Sequence, residues 1–169
     1  MSNLTQYLNA VPSCLPQTAP LGSRAPIQDA AASWVRDSLS KLDHGRLLLF
    51  DYCSASTTET VLTPWREWLR TYQDQGRGTH YLSDLGSQDI TTQVMLDQLP
   101  SGFTTSTQAE FLKQWGINDL VREGAAYWKS MKNAPDVAAM KMRSRFSEKR
   151  AITDDETLGN FEALLWMLS

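Results

Sequence analysis

The chain has 169 residues, 41% hydrophobic and 21% charged, with a formal net charge of −3 and a pI near 5.3. That length suits one domain with a real core, and the composition excludes both a disordered chain and a membrane protein. The acidic balance argues against nucleic acid as the main partner, because phosphate binding takes a clustered excess of Lys and Arg.

Cys14 and Cys53 are the only cysteines. They are too few for a zinc site built from thiolates alone and too far apart for a redox pair, and they fit a reducing cytoplasm. The first twenty residues hold no basic n-region and no continuous apolar run, and Arg24 is the first basic residue. No secretory signal, transit peptide or membrane span is therefore expected.

Residues 1–26 carry Pro12, Pro16, Pro20 and Pro26 and read as an extended lead-in. From Ile27, the apolar positions Ala30, Ala31, Trp34, Val35, Leu39 and Leu42 have the spacing of one helix face, with Gly45 as its stop. Arg46 to Tyr52 (RLLLFDY) reads as a strand buried on both faces. Helix, turn and buried strand make the second half of a βαβ unit, which calls for an earlier parallel strand. No segment before Ile27 supplies one, so part of the sheet is expected to lie outside this sequence.

Cys53 to Thr63 is Ser/Thr-rich and reads as a loop, at the carboxyl end of a strand where open α/β sheets place their ligand crevice. Trp65 to Tyr72 fits helix or strand. Gly76, Gly78 and Gly86 mark a long loop, after which Asp89 is placed to cap a short helix with Ile90, Val94 and Leu99 inward. Phe103 to Ser106 reads as a strand, and Thr107 as the cap of a helix through Phe111, Leu112 and Trp115, stopped by Gly116. Asn118 to Met131 is predicted as a helix with Leu120, Val121, Ala125 and Trp128 on its apolar face. Pro135 breaks it, Val137 to Phe146 resumes it, and Phe161 to Leu168 is expected to close the sheet.

Among candidate functional residues, no G-x-G-x-x-G or Walker pattern follows a strand. His44 stands at the predicted helix end, where a cation meets the negative dipole terminus. His80, beside Tyr81 in a polar loop, is a general base or an exposed filler. Two histidines this far apart do not suggest a metal site. Asp51, followed by Tyr52 at a strand end, is either a ligand-binding carboxylate or a buried acid held by backbone N–H groups. The run Lys141, Arg143, Arg145, Lys149 and Arg150 reads as a solvated helix face, and Trp65 with Trp68 could frame a pocket.

Four segments in this order, LGSRAPIQDAAASWVRDSLSKLDHGRLLLFDY, LRTYQDQGRGTHYLSDLGSQDIT, STQAEFLKQWGI and ITDDETLGNFEAL, resemble the MidA family of S-adenosylmethionine-dependent methyltransferases. That family is related to the mitochondrial complex I assembly arginine methyltransferase. The resemblance implies an α/β chain: a lead-in over 1–26 and, over 27–169, the C-terminal half of a Rossmann-like class I methyltransferase domain with additional helices. It implies a glycine-rich S-adenosylmethionine site in an N-terminal half not contained in this sequence, so that this chain alone is not expected to bind the cofactor. The implied reaction is methyl transfer to a protein nitrogen, arginine by analogy, with Asp51 and Asp89 as candidate carboxylates and Tyr52, Arg70 and Thr91 as candidate crevice residues. The expected partners are a protein substrate or the N-terminal half. The alternative is a non-catalytic interaction module using an exposed sheet edge.

Overall fold

In the computed structural model, which describes residues 13–169, the alanine-rich run after Gln28 forms α1 (Asp29–Leu39). The chain divides into two compact units: residues up to Leu42 with Tyr52–Ser101, and Asp43–Asp51 with Gly102–Ser169. Residues 1–12 of the expected lead-in lie outside the described residues, and 13–28 carry turns but no helix or strand.

In the first unit, α1 buries Ala32 and Val35, while Ile27 and Trp34 stay exposed, so the buried stripe is narrower than the apolar spacing suggested. The helix ends at Ser40, whose N–H bonds the Arg36 carbonyl. Gly45 therefore is not its stop, and His44 lies beyond its last turn, outside the range where the helix dipole acts. The Ser/Thr-rich run is not a loop either. Cys53–Ser54 is a short strand, β2, and Ser56 caps α2 (Thr57–Leu62) by accepting the Glu59 N–H at 3.3 Å.

Pro64 then opens the one-turn helix α3 (Trp65–Trp68), so the Trp65 to Tyr72 stretch is helix first and strand second: β3 (Arg70–Gln73) follows at once. It pairs antiparallel with β4 (Gly76–Arg77) and with β5 (Asp89–Thr91). The helix expected from Asp89 is thus a strand, because β-branched Ile90 and Thr91 suit the pleat and their backbone groups are taken by Thr71 and Arg70. Ile90 is exposed rather than inward. β2 pairs parallel with β6 (Val94–Met95), which leads into a 3₁₀ turn at Leu96–Gln98.

A polar network ties these pieces together around Thr57, which is fully buried. Its N–H and hydroxyl donate to the two Asp97 carboxylate oxygens at 2.8 and 2.6 Å. The Gln98 side-chain amide donates to the Thr57 hydroxyl at 2.8 Å and to the Pro26 carbonyl at 2.7 Å, while its oxygen accepts the Gln28 N–H at 2.8 Å. The Gln28 side chain continues the chain by donating to the Gln93 carbonyl and accepting the Met95 N–H.

The second unit is built on a three-stranded sheet ordered β1 (Gly45–Asp51), β8 (Glu162–Leu168), β7 (Phe103–Thr107), with both pairings antiparallel. The central strand β8 buries Ala163, Leu164 and Trp166. β1 departs from expectation: Leu48 and Phe50, which share one face, are each 37% exposed, so that face is only partly covered, and β1 is an edge strand that bonds β8 alone among the described strands. Its described pairing, with β8, is antiparallel. Three helices follow β7: α4 (Gln108–Gln114), α5 (Ile117–Ser130) and α6 (Val137–Thr153). Thr107 caps α4 in a reciprocal box with Glu110, as its position suggested, and Gly116 takes the left-handed turn (φ 90°) before α5. On α5 the inward residues are Ile117, Val121, Gly124 and Trp128, whereas Leu120 and Ala125 face outward. Gly124 permits the α5–α6 approach, since a Cβ there would stand 2.8 Å from the Met142 carbonyl oxygen.

Replacing Thr57 by the near-isosteric Val should leave the Gln98 amide and the Asp97 carboxylate short of a partner, at about 1–3 kcal/mol. The expected outcome is a melting temperature lowered by several degrees in a thermal denaturation scan, with faster amide exchange around Met95; an unchanged melt would show that the network is dispensable.

Candidate functional site

Within the first unit, β2, α2 and α3 converge on a cavity of about 310 Å³ lined by Ser54, Glu59, Thr60, Thr63, Glu67, Trp68 and Gln93. The helix cap at Ser56 fixes its geometry: α2 begins there, which places Glu59, Thr60 and Thr63 along one wall. The Thr60 hydroxyl donates to the Ser56 carbonyl at 3.0 Å and so accepts from Ser54 Oγ, also at 3.0 Å. α3 supplies the other wall through Glu67 and Trp68. Neither glutamate carboxylate has an ion-pair or hydrogen-bond partner among the described residues. Trp68 is 6% exposed, and its indole N–H is buried without a hydrogen-bond partner, an unusual state for a buried donor.

A second cavity, of about 320 Å³, lies on β3 and β4 and is lined by Trp65, Arg66, Arg70, Arg77 and His80 with the backbone around Gly78. Of the residues singled out in the sequence, Arg70, Asp89 and Thr91 come together: Arg70 faces Thr91 and Tyr72 faces Asp89 across the β3–β5 ladder, which puts all four on one face of the small sheet. Of these, Arg70 lines this second cavity. Asp51 ends β1 in the second unit and is exposed rather than buried. Tyr52, at the start of the first unit's second segment, accepts the Val94 N–H through its carbonyl at 2.8 Å.

His80 stacks on Tyr81 (centroids 4.5 Å) and meets the Trp65 edge at 5.2 Å, and its Nδ1 accepts the Leu82 N–H at 3.2 Å. Its loop is locked by Gln88, whose oxygen accepts the Thr79 N–H and whose amide donates to the His80 and Ser83 carbonyls. The basic face of α6 is used locally, with Arg145 donating to the Leu120 carbonyl, Lys149 to Asn118 and Arg143 lying over Trp128. No group of three or more His, Cys, Asp or Glu among the described residues is arranged to hold a metal.

Glu59 and Glu67 were not singled out in the sequence. The signal was there, since Ser56-Thr57-Thr58-Glu59 has the S-x-x-E form of a helix start, and reading it would have placed a carboxylate one turn into α2.

Residues 1–113, about two thirds of the sequence, match the protein family described as "Putative S-adenosyl-L-methionine-dependent methyltransferase". The chain belongs to that family. Its last motif, around Ile152 to Leu164, lies beyond the matched region. Among solved structures, this methyltransferase-family chain is similar to an uncharacterized superfamily protein from Burkholderia thailandensis, at 18% identity and a TM-score of 0.60 over 87% of this chain and 41% of that one. It is also similar to a member of the same superfamily from that organism bound to S-adenosyl-homocysteine, at 18% identity and a TM-score of 0.59, covering 83% of this chain and 36% of that one. The chain thus spans about two fifths of the length of these neighbours, and the likeness is one of α/β fold. No curated protein matches the sequence.

The strand-to-helix crossings at β2–α2 and β7–α4 do not form a glycine-bearing loop for S-adenosylmethionine. A cofactor loop works by exposing backbone N–H groups at a glycine-bearing strand-to-helix crossing. At the β2–α2 crossing the Thr57 N–H is taken by Asp97 and the Glu59 N–H by Ser56, and at β7–α4 the Glu110 N–H is taken by Thr107. Neither crossing contains glycine.

Gly78 admits no side chain, because a Cβ would stand 2.5 Å from Gln88 Oε1 and 3.0 Å from the Thr71 side chain. Gly78→Ala should expel the Gln88 amide from the 79–83 loop; the expected readout is faster amide exchange at Thr79 and a broadened His80 ring signal by NMR, with α1 unaffected.

Proposed function

We propose that this chain is the acceptor-binding part of a MidA-type, S-adenosylmethionine-dependent protein arginine methyltransferase, with the cofactor loop contributed by a segment outside these 169 residues. The observation that carries the reading is the cavity in which Glu59 and Glu67 stand with the buried Trp68 indole, all three without a polar partner among the described residues. A guanidinium is a planar cation with five donors and is matched by carboxylates and hydroxyls such as those of Glu59, Glu67 and Ser54. The indole N–H suits a carbonyl of the same peptide. These residues would bind and orient the acceptor nitrogen, which is the positioning contribution a transferase needs on its acceptor side. Asp51 and Asp89, Tyr52 and Thr91 stay secondary candidates for the same work. No helix among the described residues is long and apolar enough to cross a membrane. The low cysteine count, Cys14 and Cys53 alone, supports a reducing, cytoplasmic setting.

A second reading, a non-catalytic interaction module, is favoured by one observation: β1 is bonded on one side only among the described strands. We take its occupant to be a strand of the remaining methyltransferase domain, added by edge pairing.

The test combines the purified chain with the portion of a longer relative that it lacks and follows tritiated methyl transfer to an arginine-containing protein. Glu59→Gln and Glu67→Gln should each lower kcat/KM by about 10- to 100-fold, as loss of a charge-assisted contact does. Transfer to lysine instead, or full activity in the double variant, would refute the arginine reading; no transfer together with slowed exchange of β1 amides would favour the module.

A further inference from the structure

The second cavity of the first unit gathers Arg66, Arg70 and Arg77, and no carboxylate lines it. Arg66 lies over the Trp65 ring, with its guanidinium carbon 4.4 Å from the centroid, and Arg77 lies over Tyr72 at 5.1 Å. These stackings hold two long side chains in place without using any of their N–H donors. None of the three guanidinium groups has a hydrogen-bond or ion-pair partner among the described residues.

Some other cations are bound within the chain. Arg24 is bound to Tyr81 and two carbonyls, Arg145 to the Leu120 carbonyl and Lys149 to Asn118. At this depression three guanidinium groups without such partners line one surface. Its floor is also rigid: Gly78 N–H bonds the Thr71 carbonyl at 2.9 Å, and Gln88 clamps the loop from Thr79 to Ser83. His80 adds a fourth donor, since Nδ1 accepts the Leu82 N–H and the ring proton of the neutral form is therefore on Nε2.

Asp89 is the carboxylate on the same face of the small sheet, opposite Tyr72, and it forms no ion pair with any of the three arginines. Three guanidinium charges against that one carboxylate leave an excess that a singly charged carboxylate ligand would not balance and a doubly charged phosphoryl group would. The fork of each guanidinium also matches two phosphoryl oxygens at once.

We infer that Arg66, Arg70 and Arg77, with His80, form a binding site for a phosphoryl group. The site is separate from the Glu59–Glu67 cavity and does not depend on the methyl-transfer reading. Its source is either a phosphorylated peptide or a small phosphate-bearing molecule, and both are recognised by the same oxygens.

The experiment titrates the full, isotope-labelled chain with inorganic phosphate, with a short phosphoserine peptide and with the unphosphorylated peptide, at constant ionic strength held by chloride. NMR follows the amides of Gly78 and Thr79 and the arginine side-chain N–H signals. Saturable shifts confined to these groups are expected, with affinity at least about tenfold weaker in Arg70→Gln and in Arg77→Gln and unchanged in Arg143→Gln on α6. Both arginines are exposed, and melting curves of the variants verify that the fold is kept. Tighter binding of the phosphopeptide than of inorganic phosphate assigns the site to a phosphorylated protein, and equal binding assigns it to a small phosphate-bearing molecule. Shifts that do not saturate, that spread equally along α6, or that persist in both arginine variants of intact fold would overturn the inference.

Discussion

Everything in the first unit hangs on a single fully buried hydroxyl. Thr57 opens α2, and the carboxylate that accepts its N–H and hydroxyl belongs to Asp97, forty residues later. Gln98 and Gln28 extend that bond to the start of α1 and to β6. Such a network is costly if half satisfied, because each buried donor left alone costs about 1–3 kcal/mol. Satisfied, it holds an α2 of six residues that would be marginal by itself. The wall carrying Glu59 and Thr60 is therefore positioned by residues that line no part of the cavity except through their neighbours.

The short helix α3 divides two opposite chemistries. Being one turn long, it presents Glu67 and Trp68 to the cavity shared with α2, and Trp65 and Arg66 to the one shared with β3 and β4. One depression is lined by carboxylates and no cation, the other by guanidinium groups and no carboxylate. That neighbouring residues can serve sites of opposite sign follows from the helical turn, which sends successive side chains to different faces.

In the second unit the organising element is the last strand. β8 sits between β1 and β7 and buries Ala163, Leu164 and Trp166, so this sheet is completed only when residues more than a hundred positions apart are paired. Its pairings are all non-local, of the kind whose loop-closure entropy makes formation slow. Exposure along β1 alternates, Leu48 and Phe50 exposed and Leu47 and Leu49 half-buried, so one face of this apolar run is less covered than the other.

Local chemistry was legible in the sequence wherever it was self-contained. Thr107 with Glu110, Gly116, the helix on either side of Pro135 and the closing strand at Phe161 to Leu168 were all visible, because a cap, a left-handed turn or an apolar run carries its own signal. The ordered motifs were likewise enough to place the chain near a methyltransferase family, and the matched family agrees at that level. What the sequence left undecided depended on pairing. Asp89 to Thr91 looks like a helix start until Arg70 to Tyr72 takes up its backbone groups, and RLLLFDY reads as a strand buried on both faces although the face carrying Leu48 and Phe50 is only partly covered. The acidic cavity and the arginine cluster are of the same kind: the spacing of Glu59, Glu67, Arg70 and Arg77 holds no motif, and only the packing of α2, α3, β3 and β4 sorts their charges into two sites. Sequence sets what each segment can do by itself, but which backbone edge and which side-chain face it meets is a long-range choice, made by contacts whose partners are distant along the chain.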